Sequence, residues 1–284
     1  MLTTLQEICR LAEKENMAIG AFNVMSLATL KSIVRAAEEL DNPVIIQFTQ
    51  SHECFNSLED VGPLMMKYAR QSSVPVCVHL DHGEDLGYLR RALEIGFTGI
   101  MYDGSRLSYE ENLENSRKAV EMAAEFGAGV EAELGSMGAL ETGSGTGVGD
   151  CTKIYTDPAQ AADFVRQTGI DALACSFGTT HGIYLTKPVL NFDIVSQVRK
   201  NTGGVPVVMH GGSGVSAEDF RSAIGAGVRK INYFTYMDKA GANAVKARLL
   251  EKQEAHPLFT ELTVTAEKAM QENVRETIRV FRNR

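Results

Sequence analysis

The sequence predicts a (β/α)8 TIM barrel with a C-terminal helical extension, formed by residues 1–284 as a single domain. Eight short apolar or β-branched segments recur along the chain, and segments with helical periodicity lie between them. No linker, low-complexity tract or change of composition divides the chain. A doubly wound open sheet is the alternative fold, but such a sheet usually has fewer strands.

Several of the predicted strands follow Pro or Gly, as buried parallel strands often do. They span residues 17–24, 43–49, 75–81, 99–104, 129–135, 171–178, 206–212 and 230–235. Helical patterns cover residues 1–16, 27–40, 109–126, 157–169 and 216–227. Asp157 and Ser216 are the expected N-caps of the last two. The helical extension begins at about residue 237, and we expect it to pack outside the barrel or between subunits.

The composition indicates a cytoplasmic protein that binds neither nucleic acid nor membrane. The formal net charge is −8 and the basic residues are scattered, which argues against a nucleic-acid partner. The first residues lack the basic head and apolar run of a signal peptide, and no segment approaches the ~18 apolar residues that span a bilayer. The five cysteines are odd in number and lack CxxC spacing, which is typical of reduced thiols.

One predicted connection is unlike the others. Residues 136–157 join the fifth and sixth strands and contain five glycines between Gly138 and Gly149. Loops of this length usually act as lids in compact domains, so we expect a mobile flap. A dinucleotide-binding loop is the alternative, but no strand leads into the "GSGTGVG" segment and no helix opens from it at the required distance.

Polar side chains cluster at the carboxyl ends of the predicted strands, where the chemistry of a barrel is located. Asp81 and His82 end the third strand, His181 follows the sixth, and His210 ends the seventh. Because the barrel brings these ends together, three imidazoles can converge on one point. Such a set suits Zn²⁺ and leaves a fourth position open for substrate or water.

The segment "HGGSGVSAED" at residues 210–219 predicts an anion site. Its glycines allow the backbone to approach a ligand, Ser213 offers a hydroxyl group, and a helix begins near Ser216. Backbone N–H groups at such a place bind phosphate, especially after the seventh and eighth strands of a barrel. A glycine-rich turn without a ligand is the alternative. Thr235, at the end of the eighth predicted strand, could complete the same site.

Five segments of the chain resemble, in the expected order, the class II, zinc-dependent ketose-bisphosphate aldolase family, of the fructose-bisphosphate or tagatose-bisphosphate type. They are "VCVHLDHG" (76–83), "VEAELGSMGALE" (130–141), "GTTHGIY" (178–184), "HGGSG" (210–214) and "KINYFT" (230–235). The resemblance covers roughly residues 1–240. It implies a homodimeric or homotetrameric lyase that acts on a phosphorylated sugar.

The resemblance also implies a role for individual residues. The zinc ligands would be His82, His181 and His210, with Glu133 and Asp103 as accessory ligands or neighbours of the metal. Asp81 would protonate the aldehyde oxygen, and Glu141 would remove the carbon-bound proton of dihydroxyacetone phosphate. The phosphate would be held by Gly182, Gly211, Ser213 and Thr235, and Asn232 would orient the enediolate. A monovalent cation, Na⁺ or K⁺, is a further cofactor that the family often uses near the phosphate.

The eighth-strand segment departs from the family, because Phe234 stands where relatives usually carry a small or acidic residue. The substrate therefore stays open among fructose 1,6-bisphosphate, tagatose 1,6-bisphosphate and another phosphorylated keto sugar or keto sugar acid. Arg275 and Arg279 are candidates to bind a distal phosphate. Two other functions compete with the zinc aldolase. One is an aldolase that uses a lysine Schiff base, although Lys230 begins its strand, at the wrong end for chemistry. The other is a non-catalytic sugar-phosphate or metal-binding homologue.

Overall fold

Eight parallel strands form a closed barrel in this computed structural model, which describes residues 1–135, 155–182, 184, 187–252 and 257–283. The barrel strands are β2 (Ile19–Asn23), β3 (Val44–Thr49), β4 (Val76–Gly83), β5 (Gly99–Tyr102), β6 (Gly129–Leu134), β7 (Ala172–Cys175), β8 (Val207–Met209) and β9 (Val228–Tyr233). Each strand pairs with the next one in the chain, and β9 pairs with β2 to close the ring. The predicted TIM barrel is therefore confirmed.

Helices follow the barrel strands and surround them. They are α1 (Leu5–Lys14), α2 (Leu27–Glu39), α3 (Leu58–Gln71), α4 (Leu86–Ile95), α5 (Tyr109–Phe126), α6 (Pro158–Thr168), α7 (Phe192–Asn201), α8 (Ala217–Ala226), α9 (Thr235–Lys252) and α10 (Phe259–Phe281). The predicted N-caps are confirmed. The Asp157 side chain accepts hydrogen bonds from the first turn of α6, and the Ser216 side chain does the same for α8.

The floor of the barrel, at the amino ends of the strands, is closed by α1. The buried side chains of this helix include Leu5, Ile8 and Ala12, and they pack against inward-facing strand residues such as Ile45 and Val208. A two-residue strand, β1 (Leu2–Thr3), precedes α1 and pairs with the beginning of β4. The amphipathic pattern at the start of the chain therefore covers the apolar lower half of the barrel interior.

A second and larger apolar core lies between the strands and the outer helices. Strand residues that alternate with the inward-facing ones contribute to it, for example Val76, Val78 and Leu80 of β4. The last helix, α10, packs against α2, α8 and α9, and the carbonyl of Phe281 accepts a hydrogen bond from the Ala18 N–H. The C-terminal extension therefore covers the outside of the barrel, as expected.

The last barrel strand is displaced from its predicted position by two residues. The eighth barrel strand begins at Val228 and ends at Tyr233, so Thr235 is the first residue of α9 rather than the end of a strand. At this junction the N–H groups of Phe234 and Tyr236 donate hydrogen bonds to the Ser213 hydroxyl oxygen, at 3.3 and 3.4 Å. Most of the predicted flap lies within residues 136–154, outside the described residues. No helix among the described residues is long and apolar enough to cross a membrane.

Candidate metal centre and active site

Three histidine side chains converge at the carboxyl rim of the barrel. The ring centroids of His82 lie 5.0 Å from His181 and 4.6 Å from His210, and the last two rings are 5.6 Å apart. One nitrogen from each ring lies within 4.8 Å of the other two. Tetrahedral zinc holds its nitrogen ligands about 3.3 Å apart, so a small closure of this group would enclose an ion.

A distortion of β4 brings His82 into this group. Residues 77, 79 and 81 point into the barrel, so a regular strand would direct His82 outward. The pairing of β4 with β5 instead shifts register between Leu80 and Gly83, and His82 has a φ of 46°. A bulge of this kind re-aims a side chain, and it allows Asp81 and His82 to face the same pocket although they are adjacent.

Carboxylates orient two of the three histidines. His82 Nδ1 lies 2.6 Å from an oxygen of Asp103, and His210 Nε2 lies 2.9 Å from an oxygen of Glu131. With these nitrogens engaged, a metal would be bound by the other nitrogen of each ring, His82 Nε2 and His210 Nδ1. Burial opposes ionisation of Asp103, but the hydrogen bond and charge of His82 outweigh it and hold the pKa of Asp103 below its usual range.

Glu133 is also buried beside the histidines, with one oxygen 3.7 Å from His210 Nδ1. Together with Asp103 and His82 it forms a second group whose ligand atoms lie within 4.8 Å of one another. The two carboxylates that the sequence suggested as accessory ligands therefore lie next to the trio.

A third group of potential metal ligands lies deeper in the barrel, and a lysine side chain compensates its negative charge. His79, Asp81 and Glu131 bring ligand atoms together below the rim, and the ammonium group of Lys230 lies 2.8 Å from Glu131 Oε2. Burial and the Lys230 charge lower the pKa of His79, so its ring is neutral at neutral pH. This group is therefore an ion-paired part of the barrel interior.

Asp81 lies at the centre of a buried hydrogen-bond network. Its carboxylate accepts hydrogen bonds from the side chains of Gln47 (3.1 Å), Thr49 (3.0 Å) and Asn232 (2.9 Å). Burial alone would raise the pKa of Asp81, but the charges of His82, Lys230 and His210 outweigh it and lower the pKa to about 2. The group is therefore a carboxylate at neutral pH.

The residues predicted to bind the substrate, four at its phosphate and Asn232 at the enediolate, line one pocket together with Asp81 and His181. They are Gly182, Gly211, Ser213, Asn232 and Thr235. Gly211 has a φ of 66°, and a Cβ atom there would lie 2.2 Å from the carbonyl oxygen of Thr180. Only glycine fits at this position, and its close approach places the loop after β8 against the loop that carries His181.

The same pocket contains a histidine to which the sequence analysis assigned no role. His52 lies in a 3-10 helix at Gln50–Cys54, is buried, and lines the pocket. Its ring centroid is 5.3 Å from that of Phe234. These two rings form a wall of the pocket on the side of β3 and β9. A single histidine soon after a strand gave no signal that distinguishes it from a surface residue.

Three further residues that the sequence analysis considered do not line the pocket or lie outside the described residues. Arg275 forms ion pairs with Glu39 and Glu272 on the outer surface of α2 and α10, so it does not line the pocket of its own chain. Lys230, the strand lysine weighed for a Schiff base, is fully buried and ion-paired with Glu131. Glu141 lies outside the described residues.

Sequence comparison assigns the family. The sequence model of the class II fructose-bisphosphate aldolase family matches residues 3–284. The chain belongs to this family. This aldolase is therefore a lyase of a metal-dependent family that acts on phosphorylated sugars, and its histidine and carboxylate groups supply a candidate site for the metal.

Individual relatives of this aldolase differ in the substrates that their names give. It is 37% identical over 270 residues to a sulfofructosephosphate aldolase of Alkalicoccus urumqiensis, with 95% of this chain and 93% of the relative covered. It is 35% identical over 269 residues to the D-tagatose-1,6-bisphosphate aldolase subunit GatY of Klebsiella oxytoca, with the same coverage. The crystal structure of the YdjI aldolase from Escherichia coli K12 superimposes with a TM-score of 0.87 at 36% identity, over 99% of this chain and 97% of that one.

Proposed function

We propose that this aldolase uses zinc to cleave a phosphorylated ketose reversibly into dihydroxyacetone phosphate and an aldehyde. The observation that carries the proposal is the convergence of His82, His181 and His210 beside the Asp81 carboxylate. The leading substrates are fructose 1,6-bisphosphate and tagatose 1,6-bisphosphate, with glyceraldehyde 3-phosphate as the aldehyde. The name of the Klebsiella oxytoca relative supports tagatose 1,6-bisphosphate, and the name of the Alkalicoccus urumqiensis relative supports sulfofructose phosphate.

Zinc fits the donor set at the rim. Three imidazoles with an open fourth position are typical of catalytic zinc sites. His210 Nδ1 is buried and has no hydrogen-bond partner among the described residues, whereas its Nε2 is held by Glu131. A bound ion would supply Lewis-acid polarisation of the ketone oxygen of the substrate. The monovalent cation stays a prediction.

Asp81 is proposed to carry the proton of the hydroxyl group on carbon 4. In cleavage, this hydroxyl must lose its proton while the bond between carbons 3 and 4 breaks. The Asp81 carboxylate can accept that proton because three hydrogen bonds and nearby positive charges keep it ionised. In condensation, the same group returns the proton to the aldehyde oxygen.

Glu141 is proposed to exchange the proton on the carbon of dihydroxyacetone phosphate that forms the new bond. This role rests on the sequence motif at 130–141. Asn232 would orient the enediolate, and its amide nitrogen lies 2.9 Å from Asp81. The phosphate would bind at Gly182, Gly211, Ser213 and Thr235, because the N-terminus of α9 and the Ser213 hydroxyl offer donors there.

The test is a panel of ketose bisphosphates and monophosphates, each assayed with protein that has been stripped of metal and then reloaded with zinc. We expect release of dihydroxyacetone phosphate only from the reloaded protein. His210→Ala should lose bound zinc and cleavage together, as measured by metal analysis and a coupled assay.

Two results would contradict the proposal. Cleavage by the stripped protein, together with trapping of a substrate adduct by borohydride, would indicate a lysine Schiff base. A zinc-loaded protein that turns over no member of the panel and catalyses no proton exchange in dihydroxyacetone phosphate would indicate a binding protein without this activity.

A further inference from the structure

A buried lysine lies directly below the candidate active site. Lys230 is the third residue of β9, its side chain points into the barrel, and none of it is exposed. Its ammonium group lies 2.8 Å from Glu131 Oε2 and 2.8 Å from Asn232 Oδ1. A buried ion pair usually contributes little to stability compared with apolar residues of similar size, so its presence here suggests another role.

The contact with Asn232 determines which way its amide group points. An amide carries a carbonyl oxygen that accepts and a nitrogen that donates. Because Lys230 can only donate, it binds the oxygen of Asn232, and the nitrogen of Asn232 is then directed to Asp81 Oδ1 at 2.9 Å. The opposite orientation would place the amide oxygen against the Asp81 carboxylate and the amide nitrogen against an ammonium group.

The contact with Glu131 links Lys230 to His210, one of the three histidines of the candidate metal site. Glu131 Oε2 binds Lys230, and Glu131 Oε1 lies 2.9 Å from His210 Nε2. Both of these carboxylate oxygens and the histidine ring are fully buried, so water does not compete for the contacts. The Lys230–Glu131 ion pair therefore contacts Asn232, which lies next to Asp81, and His210, which belongs to the candidate metal site.

We propose that Lys230 is a positioning residue that orients the Asn232 amide toward Asp81 and, through Glu131, supports the ring orientation of His210. This role rests on the proposed function, since Asn232 and Asp81 would contact the reacting atoms. Lys230 itself does not line the pocket, so its role would be indirect.

Lys230→Met is the first test, because methionine fills a similar volume but cannot donate to Asn232. We expect kcat and kcat/KM to fall together by about 10- to 100-fold, since the lost contact supports the transition state. Bound zinc should stay near one ion per chain. Arg229→Met is the matched control: this neighbouring side chain is also buried, but it pairs with Glu13 away from the site. The control should leave kcat within threefold.

A second variant covers the case in which Lys230→Met does not fold. Lys230→Met combined with Glu131→Gln removes both charges and keeps an amide oxygen that can accept from His210 Nε2. If the lysine serves only to neutralise Glu131, this double variant should restore kcat. If it positions Asn232, the loss of kcat should persist, and restoration would overturn the proposal.

A double-mutant cycle with Asn232→Ala asks whether Lys230 acts through that residue. In the Asn232→Ala background, Lys230→Met should lower kcat by less than about threefold. Independent, multiplicative losses would contradict the proposal, and so would a normal kcat in Lys230→Met alone.

A structural measurement separates this proposal from the proposed function. In a crystal structure of Lys230→Met, we expect the Asn232 amide nitrogen to leave hydrogen-bond distance of Asp81. This result would support the positioning role even if the wild-type protein cleaved no tested ketose. An unchanged Asn232 side chain would overturn it, whether or not the enzyme is an aldolase.

Discussion

Asp81 accepts three side-chain hydrogen bonds, and this arrangement determines what its substitution should do. Gln47, Thr49 and Asn232 all donate to it, and its pKa is lowered to about 2. Asparagine has a similar shape but cannot accept the proposed proton. Asp81→Asn should therefore lower kcat about 10²- to 10⁴-fold while zinc content stays unchanged, as steady-state kinetics and metal analysis would show.

The matched control for this substitution is Asp171→Asn. Asp171 is a partly buried carboxylate at the opposite end of the barrel, where it accepts hydrogen bonds from the Val130 N–H and the Gln6 side chain. Its substitution should lower thermal stability and leave kcat within threefold. If Asp81→Asn behaves like this control, Asp81 has no part in the proton transfer.

The cysteines allow a second prediction for single residues. Cys9, Cys77 and Cys175 are buried, and burial raises the pKa of each thiol, to about 12 for Cys77. Cys54 is exposed. Alkylation of the native protein at pH 8 should modify Cys54 and spare Cys9, Cys77 and Cys175 until the chain is unfolded, as peptide mass spectrometry would show. Cys151 lies outside the described residues. Rapid native labelling of Cys77 would mean that the barrel interior opens.

The sequence allowed individual site residues to be predicted where an uncommon residue type, histidine, lies at the end of a strand. The chain has 6 histidines, and His82, His181 and His210 fall at or just past the ends of predicted strands, so their convergence could be expected from the fold. The roles of Lys230 and His52 were not predicted, because they depend on partners far along the chain. Glu131, almost a hundred residues earlier, makes a buried lysine acceptable, and Phe234 covers His52.

Among the elements, the distorted end of β4 is the one on which the site most depends. A Cβ atom on Gly83 would lie 2.3 Å from the Leu89 side chain and 2.9 Å from the Met101 carbonyl oxygen. Gly83→Ala should therefore shift the bulge, destabilise the protein by about 1–3 kcal/mol and weaken zinc binding. Urea unfolding and zinc titration would measure the two effects.

Gly225→Ala provides the contrasting glycine substitution. Gly225 lies inside α8, and a Cβ atom there would meet no atom within 4 Å. Alanine should stabilise the helix by about 0.5–1 kcal/mol and leave zinc binding unchanged. A Gly83→Ala protein with wild-type zinc affinity would show that the register shift is not needed to place His82.

The strands were located by sequence better than their ends were. Apolar runs identified all eight barrel strands, but the last one was placed two residues late, because a charged residue such as Arg229 does not resemble part of a buried strand. The bulge at His82 could not be foreseen either. It results from pairing between β4 and β5, and sequence alternation contains no information about that register.

The pH dependence of stability is a property of the whole molecule, because its acidic interior is distributed over several strands. Asp81 and Glu131 are fully buried, yet their pKa values are lowered by neighbouring positive groups. A depressed folded-state pKa contributes stability above the unfolded pKa, near 4, and that contribution is lost as the pH falls through the folded value.

For zinc-free protein, the free energy of unfolding should therefore decrease as the pH is lowered from about 4 toward 2. Urea unfolding at a series of pH values would measure it. Glu131→Gln should flatten the curve in this range, because it removes one of the buried carboxylates whose pKa is lowered in the folded protein. A wild-type curve that is flat below about pH 4 would contradict the charge arrangement described for the barrel interior.

The closure of the floor by α1 has a kinetic consequence. Leu5, Ile8 and Ala12 close the amino end of the barrel, so in the part of the chain that the structure describes the pocket at the rim opens to solvent from the opposite end. Both fragments of a cleaved ketose must then depart through one entrance. The fragment nearer that entrance has to leave first, and product-inhibition kinetics should show an obligatory order of release.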